Sequence, residues 1–211
     1  MQTTLGRTIH VALIAAALGT SMQAMSAVAY DESVQGDLSN IGTEPTFITF
    51  GPGDNDLLGA SGLTTSGITF RDYGSFVVPA NAQLTGIQVL PGTIGAEDGM
   101  DRQLFIGLQA GSQLTVNPVT YAGQQNLIGW NHFSSDDIGK TLALTGDGVV
   151  SPLPLAPGQY SFWIQDYDGG AAPYGLRFTI AAVPEPGSYA MMGLGLAVLG
   201  AASVRRRSAR R

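Results

Sequence analysis

Beyond its first thirty residues this 211-residue chain holds one histidine and no cysteine, so the residue types able to do chemistry are few. A Ser-His-Asp triad would have to use His132, which sits in Trp130-Asn131-His132-Phe133 with no Gly-x-Ser-x-Gly elbow nearby. One histidine excludes histidine-rich zinc sites, and no glycine loop followed by Lys-Ser or Lys-Thr is present to cradle phosphate. Glycoside hydrolysis needs only two acids at the right separation, for which Glu97, Asp98 and Asp101, Asp136 and Asp137, or Asp166 and Asp168 are the candidates. Solvated loop charge is the simpler expectation for all of them, and a catalytic role is not expected. Asp54-Asn55-Asp56 and Glu97-Asp98-Gly99-Met100-Asp101 offer hard oxygen ligands of the kind calcium takes. Neither has the full spacing of a calcium loop, so turn chemistry is expected there and no metal or cofactor is assigned.

Aromatic faces are the other route to function, because Trp and Tyr rings stack on sugars while their polar tips bond hydroxyls. Trp130, Trp163, Tyr121, Tyr167 and Tyr174 are the available surfaces, with Trp163 and Tyr167 the candidate glycan contacts. The competing expectation is that Tyr160 and Phe162 pack inward while Trp163 covers a neighbouring strand.

The elements that must position these residues are short alternating or apolar runs separated by Gly, Pro, Asn and Asp, with no sustained helical period. Strands are expected over 46–50, 67–70, 75–78, 84–90, 103–110, 159–166 and 175–181. Tyr160, Phe162 and Ile164 share one face and Ser161, Trp163 and Gln165 the other. Leu176, Phe178 and Ile180 alternate with Arg177 and Thr179, so one face is buried and the other wet. Turns are expected at 51–56, 78–82, 91–92, 146–148, 156–158 and 168–170, and one helical turn over 134–138, where Ser or Asp can cap backbone N–H groups. The pattern predicts an all-β protein, a single jelly-roll-like β-sandwich over residues 30–182.

Both ends read as targeting segments. Arg7 and His10 precede a short apolar run and the small-residue sequence Ala27-Val28-Ala29, which predicts a signal peptide over 1–29, cut after Ala29 or, as the alternative, after Ala24. At the other end Pro184-Glu185-Pro186 interrupts any regular element, and an apolar run, 187–204, is long enough to form a transmembrane helix. Arg205, Arg206, Arg207, Arg210 and Arg211 then form a basic cluster that resists translocation. Six of the ten basic residues lie in these two segments. Residues 30–183 keep Arg71, Arg102, Lys140 and Arg177 against fifteen of the sixteen acids, a net charge of −11 where the whole chain carries −6. Such a surface repels nucleic acid.

The tail over 183–211 resembles the PEP-CTERM sorting signal of Gram-negative bacteria that make exopolysaccharide. The resemblance implies that an exosortase, a membrane-embedded protease, recognises Pro184, Glu185 and Pro186 and cuts nearby. It further implies export through the Sec translocon, a precursor held transiently in the inner membrane, and delivery to the cell surface or extracellular matrix. A plain membrane anchor would need no Pro-Glu-Pro. A second resemblance, to secreted β-sandwiches of the pre-peptidase C-terminal type, is carried by residues 30–39, 76–84 and 155–164. The Asp-x-Asp-Tyr-Phe phrase of that type is degraded here to Arg71-Asp72-Tyr73-Gly74-Ser75-Phe76, and such domains are accessory rather than catalytic. The expectation is a non-catalytic structural or adhesive envelope or matrix protein. A carbohydrate-binding module that retains polysaccharide is the alternative, and a glycoside-active enzyme the remote one.

Overall fold

The computed structural model describes residues 26–63, 69–94, 103–120, 122–146, 151–166, 172–183, 191 and 193–197. Among the described residues nine strands dominate: β1 (Ala27–Asp31), β2 (Thr46–Phe47), β3 (Gly53–Leu63), β4 (Thr69–Val78), β5 (Ala82–Val89), β6 (Leu104–Ala110), β7 (Leu127–Phe133), β8 (Gly158–Asp166) and β9 (Ala172–Ala182). A single helical turn, α1 (Glu32–Gln35), follows β1, and 3-10 turns occupy Gln124–Asn126 and Ser135–Asp137. The second 3-10 turn is the expected one, capped by Ser134 and Asp137 in a reciprocal capping box.

The strands form two sheets. One runs β5-β9-β3, with β1 parallel to β3 on its far side; the other runs β4-β8-β6-β7, with β2 parallel to β4. A two-pair ladder, Gly62 with Phe70 and Leu63 with Thr69, joins β3 to β4 at the corner. The facing sides supply one core: Phe76 and Val78 from β4, Leu104, Ile106 and Leu108 from β6, and Phe162 and Ile164 from β8 meet Leu57, Leu84, Ile87, Val89, Leu176, Phe178 and Ile180 of the opposite sheet. Leu84 and Ile87 are three apart, a spacing that period-2 alternation would send to opposite faces. A bulge between Leu84 and Gly86 restores both to the core. Gly74 stands opposite Phe162 in the β4–β8 ladder, and the Phe162 ring lies where a Cβ at position 74 would be.

A second cluster covers the outer side of the β4-β8-β6-β7 sheet. The segment after β6 folds back so that Leu114 and Val116 bury Tyr73, Phe105, Leu127 and Trp163. Both faces of β8 are therefore dry, which the alternation alone did not reveal.

Three sequence expectations change. Residues 51–56 are not all turn, because β3 begins at Gly53. The reason is Asn55, 3% exposed, whose side chain bonds Gly51, Gly53 and Phe178 backbone groups and satisfies a polar residue inside a sheet. The two strands expected over 67–70 and 75–78 are one strand, β4, running through Asp72 and Gly74. The strand over 46–50 shrinks to Thr46–Phe47, although Ile48 and Phe50 are buried.

Candidate functional site

Alternation along β4 places Asp72 and Gly74 on the same face as Phe76 and Val78, so an acid points between the sheets at one end of the core. Asp72 is 4% exposed. From the opposite sheet comes Tyr174 of β9, 2% exposed and paired in register with Gly59 of β3. Glycine is required there by close approach: a Cβ at position 59 would lie 2.5 Å from the Tyr174 hydroxyl and 2.7 Å from Glu32 Oε2. Those two oxygens are therefore at most 5.2 Å apart, the sum of the two distances.

Glu32 is delivered by α1. Asp31 caps that turn by accepting from the Ser33 N–H at 2.9 Å, and Gln35 Oε1 accepts from the Asp31 N–H at 2.9 Å. Glu32 Oε1 accepts from the Leu38 N–H at 2.9 Å and Oε2 from the Ala60 N–H at 2.7 Å, so this carboxylate ties the N-terminal segment to β3. The result is acid packed on acid. Burial, then the charge of Glu32, pushes the Asp72 carboxyl up to about 8, the nearby Tyr174 hydroxyl offsetting only part of it. Burial also raises Glu32 despite its two backbone donors. Tyr174 is raised well above the usual phenol range by burial and by the charges of Asp72 and Glu32. Asp72 and the Tyr174 hydroxyl are buried against each other, and their contact lowers the acid while it raises the phenol. An open cavity of about 520 Å³ lies over this end, lined by Asp31, Glu32 and Asp37, by the apolar Leu58, Pro91 and Pro173, and by Tyr174; none of its lining residues is basic.

The residues singled out from sequence fall differently. Trp163 is 1% exposed, stacked on Tyr73 at 6.4 Å and packed on Phe105 at 4.7 Å, so it cannot offer a face to a sugar ring. Its expected partner Tyr167 lies outside the described residues, as do Tyr121, Glu97, Asp98, Asp101 and Asp168. Trp130 is partly buried beside Phe105, and His132 meets both rings edge-on at 5.5 and 5.6 Å, with burial lowering its pKa. Asp137 is spent on the 3-10 cap and an ion pair with Lys140. The Asp54-Asn55-Asp56 calcium candidate is a strand whose acids face Arg177, at 3.8 Å and 2.7 Å, and whose Asn55 is bonded to backbone. Burial alone would raise Asp56, but the bonds from Arg177 and Ser26 outweigh it and lower its pKa. Among the described residues no three acidic or histidine side chains converge to hold a metal ion.

At the N-terminal end Ala27 and Ala29, the expected signal cleavage motif, lie in β1, where Ala27 and Val28 pair with Asn55 and Asp56. Ser26 Oγ donates to Asp56 Oδ2 at 2.6 Å and accepts from Arg177 at 3.0 Å. The boundary at residue 30 thus falls inside β1, and a cut after Ala29 would leave only Tyr30 and Asp31 of that strand. At the other end β9 runs to Ala182, and the Val183 N–H donates to the Asn81 carbonyl at 2.8 Å. Pro184, Glu185, Pro186 and the cluster Arg205, Arg206, Arg207, Arg210 and Arg211 lie outside the described residues, as do residues 1–25 of the expected signal peptide. Met191 and residues 193–197 are helical and exposed. No helix among the described residues is long and apolar enough to cross a membrane.

The acidic end was readable in part. Asp72-Gly74-Phe76-Val78 alternates on one face, which places an acid on the core side, but the Gly and Asp made the segment read as a break. Comparison with known proteins adds one match, and no curated protein matches the chain. The match is to the PEP-CTERM protein-sorting motif, over residues 182–207, beginning at the last residue of β9. The β-rich domain therefore leads directly into a PEP-CTERM sorting motif, which implies an exported protein with a membrane-anchored precursor processed by an exosortase.

Proposed function

We propose that this is a non-catalytic structural or adhesive protein of the envelope or extracellular matrix, delivered by exosortase cleavage of its C-terminal tail. The observation that carries the reading is the sorting motif at residues 182–207, which begins at the last residue of β9. Only Val183 to Pro186 separate β9 from the apolar run, a reach of about 14 Å even when fully extended. While the apolar run holds the precursor in the inner membrane, the β-rich domain is kept against the membrane surface, with the Pro-Glu-Pro tripeptide at the protein–membrane junction where an intramembrane protease can reach it. The five tail arginines stay on the cytoplasmic side and oppose further translocation. Export by the Sec route precedes this step, and cleavage ends the contact with the membrane.

The non-catalytic reading is supported by how two of the catalytic candidates are used, His132 in an aromatic cluster and Asp137 in a cap. Binding of matrix polysaccharide remains the second reading. The observation favouring it is the acidic cavity beside Tyr174, since the buried Trp163 leaves the Trp163–Tyr167 platform without its principal ring. Glu185→Ala tests the sorting step, because it spares the apolar run and the arginines. The variant is expected to accumulate in the membrane fraction at precursor mass, whereas processing at the normal rate would defeat recognition of the tripeptide.

A further inference from the structure

We propose that the signal peptide is removed by hydrolysis of the Ala24–Met25 bond, upstream of the Ala27-Val28-Ala29 motif, so that Ser26 to Ala29 stay on the exported protein as part of its folded domain. β9 occupies one side of β3, and over Asn55 to Leu58 the other side is taken by β1, with Ala27 opposite Asn55, Val28 opposite Asp56, Tyr30 opposite Leu57 and Asp31 opposite Leu58. Ser26 extends that contact through side chains. Its Oγ donates to Asp56 Oδ2 at 2.6 Å and accepts from Arg177 at 3.0 Å, while Arg177 Nε donates to Asp56 Oδ1 at 2.7 Å. The N-terminal segment, β3 and β9 are thus joined by one closed ring of bonds. Ala29 packs, partly buried, against the main core.

A cut after Ala29 would discard Ser26, Ala27, Val28 and Ala29 together. It would bare the backbone N–H and C=O groups of β3 along that side, an open edge that invites pairing with other chains. It would also set a new ammonium on Tyr30, which is 8% exposed in the core. A cut after Ala24 does neither. It lies closer to the apolar run that the membrane holds: Ala24 is five residues beyond Gly19 and Ala29 ten, a reach of about 17 Å against about 34 Å in extended chain. Ala24 supplies a small residue on the N-terminal side of the bond, as a signal peptidase needs. Water adds across the amide, leaving a carboxylate on Ala24 and an ammonium on Met25. The inference concerns the N-terminus alone and is independent of exosortase processing of the tail.

N-terminal sequencing of the exported protein tests it, and the expected first residue is Met25. Two variants of the full chain separate the motifs. Ala27→Gln, at an exposed position, puts a bulky residue into Ala27-Val28-Ala29 and should leave the start at Met25 unchanged. Ala24→Leu puts bulk beside the proposed bond and should abolish that start. A wild-type protein beginning at Ala27, Val28 or Tyr30 would overturn the proposal. So would an unchanged first residue in Ala24→Leu, or loss of N-terminal processing in Ala27→Gln.

Discussion

Replacing Asp72 with asparagine should stabilise the protein at neutral and alkaline pH and do nothing useful in acid. The carboxyl has an ordinary value of 3.8 in the unfolded chain and is pushed up to about 8 in the fold, chiefly by burial and then by Glu32. For an acid whose folded pKa is raised, the cost to stability is absent below the unfolded value, grows as pH climbs between the two values, and is constant above the folded one. Each unit is worth about 1.4 kcal/mol, so the cost is about 4 kcal/mol at pH 7 and between about 5 and 6 kcal/mol above pH 8. Asparagine does not ionise and escapes this cost. It still buries an amide with unmet hydrogen bonds, at about 1–3 kcal/mol. The net expectation is a gain of about 1–3 kcal/mol at pH 7, or roughly 5 °C in unfolding temperature for a domain of this size. At pH 4 the ionisation cost is nearly gone and the amide cost remains, so the variant should be the less stable protein by about 1–3 kcal/mol. Urea denaturation of both proteins at one-unit steps from pH 4 to pH 9, followed by tryptophan fluorescence, measures it. Parallel pH profiles for the two proteins would refute a neutral buried carboxyl at position 72.

Other substitutions probe the packing. Trp163→Ala removes an indole that is 1% exposed in the outer cluster, and is expected to cost about 3–5 kcal/mol in denaturation without any specific effect on sugar binding. A sugar affinity lost at full stability would restore Trp163 to a recognition role. Gly74→Ala sets a methyl group against the Phe162 ring, and should destabilise by about 1–3 kcal/mol in the same assay. An unchanged midpoint would mean that the Phe162 ring moves freely, against the close packing described for β4 and β8.

The sheet arrangement was legible where chemistry is local. In β8 and β9 strict alternation located Phe162, Ile164, Leu176, Phe178 and Ile180 in the core, and Ser134 with Asp137 marked a capped turn. It failed where a tertiary partner overrides local preference. Asn55 looks like a turn former, but three side-chain bonds to backbone carbonyls let it sit in β3. Gly74 looks like a break, yet its missing side chain is the space Phe162 fills. Trp163 was on the correct face of β8, but whether that face met water depended on Leu114 and Val116, fifty residues away in the chain, closing over it. The acidic cavity was hidden for the same reason, because Glu32, Leu58 and Tyr174 come from three separate segments joined only by the fold. The sorting tail lay in plain view, since its meaning rests on the order of Pro-Glu-Pro, apolar run and arginines rather than on packing.

Mass spectrometry of the C-terminus of the protein recovered outside the inner membrane tests the route most directly. Processing predicts a chain that retains β9 and ends near the Pro184-Glu185-Pro186 tripeptide, lacking the apolar run and the arginines. Recovery of an exported chain still ending in Arg211 would contradict it.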